Sequence, residues 1–296
     1  MDAGQVGSPE TGRPTIGDAL REGRKMLFGT GTDTPGLDAE VLLRHVLCID
    51  RTRLFSTMQE PIGPQERAEY RQLVASRAAG IPVAYLTGRR EFMGHSFIVS
   101  PSVLVPRPET ENLVEWAIQW LRDRDCATVV DVGAGSGAIA LSLALAMGPN
   151  WPGAIIATDV SHEALQIAAA NRDRFELQNR VDLRQTSLLN RVDEGVDLLL
   201  ANLPYLRPQQ IADNPELAAE PRLALDGGND GLDLIRALLD DAPRIVVPGG
   251  AIGLEIDPSQ RAAVVASARR AFPGSEIVLL QDLAGLDRHI TIQTRR

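Results

Sequence analysis

Apolar and polar positions alternate along the 296-residue chain in two different rhythms. In the N-terminal third, "IGDALREGRKML" sets Ile16, Leu20 and Met26-Leu27 at helical spacing behind Thr15, a residue suited to an N-cap. "LDAEVLLRHVLC" and "PQERAEYRQLVASRAAG" repeat the pattern, the second stopping at Gly80, which suits a helix C-terminus. These segments predict a helical domain over residues 14–80, preceded by a polar, flexible tail over residues 1–13. "IPVAYLTG" and "EFMGHSFIVS" are then short, aromatic and β-branched, with Gly88 and Gly94 as turn markers. They predict strands in a β-hairpin linker over residues 81–105.

From Pro106 to the end the rhythm changes to strand followed by helix. "ATVVDVG", "GAIIATDV", "VDLRQTS", "VDLLLANL" and "GGAIGLEI" read as strands. Between and after them "SGAIALSLALAM", "SHEALQIAAANRDRF", "GLDLIRALLDDAPRI" and "SQRAAVVASARRAF" read as helices, Ser161 capping the second. Such alternation implies right-handed crossovers and a mainly parallel sheet covered on both faces, an α/β fold. "SEIVLLQD" and "RHITIQT" follow one another with no helix between, so an antiparallel pair is expected at one edge.

Composition narrows the function classes. The apolar runs "VDLLLANL" and "IALSLALAM" are too short to cross a bilayer, and "MDAGQVGSPETGRP" has no apolar core of a signal peptide, so a cytoplasmic protein with no membrane contact is expected. Cys48 and Cys126 lie far apart, predicting two buried thiols rather than a disulfide. His45, His95, His162 and His289 show no metal-ligand spacing, and no metal is expected. A net charge of -9 argues against general nucleic-acid binding, which needs Lys and Arg to neutralise phosphates.

Two strand ends carry candidate chemistry. In "VVDVGAGSGAIAL" the stretch Gly133, Ala134, Gly135, Ser136, Gly137 forms the turn from the first strand of the α/β domain into its first helix, where a ligand can lie against backbone and an anionic group meets a helix N-terminus. The GxGxG spacing behind Asp131 leans toward S-adenosylmethionine rather than a dinucleotide. The next strand ends in Asp159, placed to accept hydrogen bonds from ribose hydroxyls, since Ser161 already supplies the helix cap. Asp131, Asp159, Ser187 and Asn202 all fall at predicted strand ends, where ligands bind in open α/β sheets. The fourth strand closes on "ANLPYL". Alone, that reads as a strand terminator, because Asn and Pro begin turns. Beside the first strand it reads as a clamp: the Asn202 side-chain carbonyl and the Leu203 backbone carbonyl, its geometry restrained by Pro204, can grip both N–H bonds of a planar NH₂ group. An amide nitrogen is a poor nucleophile because its lone pair is delocalised, and two acceptors would raise its electron density and hold it in line for transfer. Tyr205 is expected to pack its ring against the flat substrate.

With these motifs placed, the chain resembles the glutamine methyltransferases that modify class I peptide chain release factors. "PVAYLTGRREFMGHSFIVSPSVLVPRPETENLVE" is similar to that family's hairpin and PRPxTE segment, "DVGAGSGAIAL" to its cofactor loop and "ANLPY" to its NPPY motif. "EPRLALDGGNDGL", "PGGAIGLEI" and "DLAGLDRHI" are similar to its later signatures, so the resemblance spans nearly the whole length. It implies a Rossmann-like, seven-stranded methyltransferase domain over residues 106–296 and a helical domain that docks the protein substrate. It also implies methyl transfer from S-adenosyl-L-methionine to the Gln of the release factor's Gly-Gly-Gln loop. Gly133 to Gly137 and Asp159 would hold the methionine and ribose parts of the cofactor, Ser187 the adenine side, and Asn202 to Tyr205 the glutamine. Phe92 and residues 106–110 would wall the pocket, although Pro108 and Thr110 equally suit the start of a helix. The long polar segment at residues 207–230 is expected to be a flexible lid. Leu203 departs from the family's Pro: the carbonyl acceptor survives, one ring constraint is lost, and the Leu side chain needs an apolar niche. Rival readings are methylation of a ribosomal-protein Gln, an adenine amino-methyltransferase acting on nucleic acid, and a catalytically idle cofactor-binding module.

Overall fold

The computed structural model describes residues 13–122, 124, 126–282 and 284–295. Of the tail expected over residues 1–13, all but Arg13 lies outside the described residues. The chain divides into two compact units, Met1–Thr87 and Gly88–Arg296, so residues 81–87 fall with the first and 88–105 with the second.

The first unit is helical: α1 Ile16–Leu27, α2 Pro35–Leu47, α3 Arg51–Ser56, α4 Pro64–Ala78 and α5 Val83–Thr87. Thr15 opens α1 with a reciprocal capping box, its hydroxyl accepting from the Asp18 N–H at 3.1 Å while Asp18 accepts from the Thr15 N–H at 2.9 Å. Leu20, Leu27, Leu42, Leu43, Leu54 and Tyr70 fill the core, and the buried Tyr70 hydroxyl donates to the Ala39 carbonyl at 3.1 Å. Helix α5 corrects the strand expected of "IPVAYLTG". The Pro82 carbonyl accepts from the N–H groups of Tyr85 and Leu86 at 3.0 and 3.2 Å, so a helical turn claims the backbone groups that a strand would offer to a partner.

The second unit opens with an antiparallel hairpin, β1 Arg89–Phe92 and β2 His95–Ile98, which turns at Met93 and Gly94, both at positive φ. Phe92 and Phe97 are buried edge-to-face, 6.1 Å apart. Helix α6, Pro108–Arg122, follows with Pro at its first position. The sheet then builds from β3 Thr128–Val132, β4 Ala154–Asp159, β5 Val181–Gln185, β6 Val196–Ala201, β7 Val246–Glu255, β8 Glu276–Gln281 and β9 Asp287–Gln293. Its order is β5-β4-β3-β6-β7-β9-β8. Strands β3 to β7 are parallel, and β9 runs antiparallel to both β7 and β8 at one edge. Between the strands come α7 Ala138–Met147, α8 His162–Arg174, α10 Asp233–Asp241 and α11 Arg261–Ala271, with the short α9 Pro208–Ala212 in the connection after β6.

The leucine run of β6 shows how a continuously apolar strand serves two faces. Leu198 and Leu200 pack with Leu113, Leu121 and Leu141 of α6 and α7, whereas Leu199 and Ala201 pack with Leu238, Leu239 and Val264 of α10 and α11. Because β6 lies beside β3, the order of the sheet reverses there, and the C-terminal ends of these two strands form the crevice where such sheets bind ligands.

One further expectation is corrected: Cys48 and Cys126 are exposed rather than buried. Residues 207–230, expected as a flexible lid, form a strap with α9 and the 3₁₀ turns Pro215–Ala219 and Arg222–Ala224. Glu220, nearly fully buried, ties the strap down by pairing with Arg107 and accepting from the Val105 N–H at 3.3 Å.

Candidate active site

A cavity of about 350 Å³ lies at the C-terminal ends of β3, β4 and β6, a size typical of small-molecule sites. One wall is the glycine loop. Gly133, Gly135 and Gly137 have φ of +80°, +55° and +80°, a region costly for residues with a Cβ. The Thr158 carbonyl anchors the loop, accepting from the N–H groups of Gly133 and Ala134 at 2.8 and 2.9 Å. A Cβ on Gly135 would meet no atom within 4 Å, so the backbone there lies open to the cavity. Helix α7 starts at Ala138 with Gly137 as its N-cap.

Asp159 stands across from the loop. Its two carboxylate oxygens accept one backbone N–H each, Oδ2 from Gly135 and Oδ1 from Ser161, both at 2.9 Å. A carboxylate has about four acceptor positions, so acceptor capacity remains for the hydroxyls of a ligand. Burial pushes its carboxyl above the usual range, against the N–H groups of Ser161, Gly135 and Val160 that favour the anion. The Ser161 hydroxyl caps α8, accepting from the Ala164 N–H at 3.1 Å, so Asp159 is not needed as the side-chain cap. Asp131 is fully enclosed beneath the loop. It accepts from the Ala140 N–H at 3.1 Å, its Oδ1 has no partner among the described residues, and burial pushes its carboxyl up to about 7.

The third wall is the end of β6. Asn202, Leu203 and Pro204 all line the cavity. The Asn202 side-chain NH₂ donates to the Thr110 hydroxyl at 3.0 Å. Among the described residues neither the Asn202 side-chain carbonyl nor the Leu203 backbone carbonyl accepts a hydrogen bond. The Tyr205 carbonyl, by contrast, is taken by the Gln260 side-chain NH₂ at 2.7 Å. Leu203 finds its apolar niche with Val132, Leu232 and Leu254, its Cδ2 3.1 Å from where a Cβ on Gly133 would stand.

Of the residues singled out from sequence, Gly133, Ala134, Gly135, Ser136, Asp159, Ser187, Asn202, Leu203 and Pro204 face this one cavity, together with Phe92, Pro106 and Arg107. Gly137 and Tyr205 stand outside its lining. Tyr205 packs on the core beneath, and its hydroxyl donates to Glu255 Oε1 at 3.1 Å; burial and the neighbouring Glu255 raise its phenol. Thr110, expected with residues 106–110 to wall the pocket although it equally suits a helix start, also lines the cavity; two residues were missed from sequence, Glu255 and the buried His289. Glu255 Oε2 accepts from the Thr110 hydroxyl at 2.6 Å and lies 3.6 Å from His289 Nε2. The available signal for Glu255 was its place, at the end of a parallel strand of the sheet.

The cavity fits the expected cofactor. It offers an open glycine backbone, a half-buried carboxylate with free acceptor capacity, and the side chains of Val160 and Leu188 as apolar rim. Among the described residues no group of three or more His, Cys, Asp or Glu is placed to hold a metal, and no helix is long and apolar enough to cross a membrane.

The chain is 41% identical over 277 residues to the release factor glutamine methyltransferase of Moorella thermoacetica, covering 93% of this chain and 96% of the relative. It belongs to the release factor glutamine methyltransferase family. The Bacillus subtilis member is 35% identical, with 93% and 96% of the two chains covered. Residues 18–88 match the family described as PrmC N-terminal domain, and residues 115–228 that described as methyltransferase small domain. Among solved structures, the catalytic domain of hMettl16 superposes with a TM-score of 0.56 at 14% identity, covering 76% of this chain and 82% of that one. A 16S rRNA methyltransferase of T. thermophilus, solved with AdoMet and guanosine, gives 0.51 at 16% identity, covering 70% and 50%. Both likenesses concern the fold. As a member of the release factor glutamine methyltransferase family the chain is a methyltransferase.

Proposed function

We propose that the chain transfers a methyl group from S-adenosyl-L-methionine to the side-chain amide nitrogen of the Gln in the Gly-Gly-Gln motif of class I peptide chain release factors, in the cytoplasm. The observation that carries this reading is the pair of unused acceptors, the Asn202 side-chain carbonyl and the Leu203 backbone carbonyl, on the wall of a cavity whose other wall is the glycine loop. The relatives' names give the release factor as the protein that carries the amide.

When bound, S-adenosylmethionine supplies an electrophilic methyl group carried on a sulfonium. Gly133 to Ser136 would hold its methionine part, Asp159 its ribose and Ser187 the adenine side. The work left to the chain is to prepare a weak nucleophile. Asn202 and Leu203 each accept one N–H of the glutamine amide, which orients the nitrogen, increases its electron density and stabilises the positive charge that grows there. As the nitrogen becomes more acidic on methylation its proton would pass to solvent water, and no strong base is needed. Leu203 and Pro204 exclude water from the clamp. Tyr205 supports it from behind, through its bond to Glu255. The helical unit around residues 14–80 would dock the release factor body.

The test is transfer of labelled methyl from S-adenosylmethionine to purified release factor, run beside a ribosomal-protein mixture and adenine-containing DNA. Label on the release factor supports the reading. Label on DNA alone, on ribosomal protein alone, or on none of them overturns it.

A further inference from the structure

Behind Asn202 runs a buried chain of hydrogen bonds with a fixed direction. Glu255, 2% exposed at the end of β7, receives the Thr110 hydroxyl on Oε2 at 2.6 Å and the Tyr205 hydroxyl on Oε1 at 3.1 Å. A carboxylate only accepts, so the single hydrogen of the Thr110 hydroxyl is committed to Glu255. The Thr110 oxygen is then left as an acceptor, and the group that meets it at 3.0 Å has to be a donor. For Asn202 that donor is the NH₂ end of its amide, and the carbonyl end is turned away from Thr110. A side-chain amide is nearly symmetric in shape, and packing alone would hold it equally well in either of two orientations that differ by a half-turn.

We propose that Thr110, with its hydroxyl aimed by Glu255, is a positioning residue that sets which end of the Asn202 amide meets the substrate. This rests on the reading of Asn202 and Leu203 as the amide clamp. In the observed orientation the pocket presents two acceptors and selects a group with two N–H donors, a primary amide. In the flipped orientation it would present one acceptor and one donor, which suits an amide turned the wrong way or a protonated carboxylic acid. The Thr110–Glu255 pair therefore contributes specificity for glutamine over glutamate as well as rate. It does so across 145 residues of sequence, from the first turn of α6 to the end of β7.

The decisive experiment is single-turnover transfer to release factor by wild type, T110V, T110S, N202A and T110V/N202A, with cofactor affinity measured alongside. Val keeps the shape of Thr and removes the hydroxyl. T110V is expected to lower the transfer rate by about 10- to 100-fold, the scale set by losing the orientation of a reacting group, with cofactor affinity and release-factor KM within about threefold of wild type. T110S restores the hydroxyl and should recover the rate to within about threefold. In the N202A background T110V should cost less than about twofold, because the residue it positions is gone. The proposal is overturned if T110V turns over like wild type, if T110S is as slow as T110V, or if the two losses multiply. Wild type that transfers nothing to release factor overturns the functional reading instead, and the proposal with it.

Discussion

Truncating Leu203 to Ala separates what its side chain does from what its carbonyl does. The side chain is 5% exposed and lodged with Val132, Leu232 and Leu254, its Cδ2 against the backbone of Gly133. Buried Leu→Ala changes cost about 2–5 kcal/mol, the spread reflecting how far the site relaxes around the space left. Leu203 also borders an open cavity, which spares part of the cost of an enclosed void, so about 2–3 kcal/mol is expected. For a unit of this length each kcal/mol lowers the melting temperature by about 2–4 °C, giving a fall of about 5–10 °C. The backbone carbonyl survives, so methyl transfer at 25 °C should stay within about tenfold of wild type. The measurements are scanning calorimetry of the full chain and single-turnover transfer at saturating cofactor. A variant that melts like wild type would refute the packing argument. One that melts as expected but loses transfer as fully as N202A would refute the assignment of the chemistry to the carbonyl.

Two further outcomes follow from the same site. Asp131, with a carboxyl pushed up to about 7 by burial, stays protonated in the folded chain at pH values where the unfolded chain has already ionised it. The folded state then binds the extra proton, so stability falls as pH rises from about 4 to about 7 and levels off above, a loss on the order of 4 kcal/mol at about 1.4 kcal/mol per tenfold change in proton affinity. Urea denaturation of wild type and D131N across that range should show the difference between them growing in favour of D131N and then flattening; a constant difference would mean that Asp131 is not the titrating group. Gly135→Ala places a methyl in open cavity space at φ +55°. It should cost about 1–2 kcal/mol of stability yet weaken S-adenosylmethionine by about tenfold or more, read by equilibrium dialysis, and unchanged affinity would remove Gly135 from the cofactor wall.

The strands of the sheet, its mainly parallel pairing and its antiparallel edge were legible because each strand carries its own signature. The leucines of β6 are apolar on both faces, as a central parallel strand must be, and the absence of a helix between β8 and β9 announced their antiparallel pairing. The glycine loop, Asp159 and Asn202 were legible for a related reason: each follows directly from a strand whose end the sequence marks. What was not legible depends on partners far along the chain. "VAYLT" has strand-forming residues, yet it forms α5 because the Pro82 carbonyl gathers its N–H groups. The 207–230 strap looked flexible by composition, and its anchor is Glu220 bonded to residues more than a hundred positions earlier. Tyr205 was expected to pack its ring against the substrate; what the sequence does not encode is the partner of its hydroxyl, Glu255, fifty positions on. The Thr110–Glu255 bond spans 145 positions, and no local pattern encodes it.

The central claim is that Asn202 and Leu203 present two acceptors to a glutamine amide. The most direct measurement is mass-spectrometric mapping of release factor after incubation with S-adenosylmethionine and either wild type or N202A, with cofactor affinity determined for both. A single methyl on the amide nitrogen of the Gly-Gly-Gln glutamine with wild type, and its loss with N202A at unchanged cofactor affinity, is the predicted result. A methyl at any other residue, or full methylation by N202A, would contradict it.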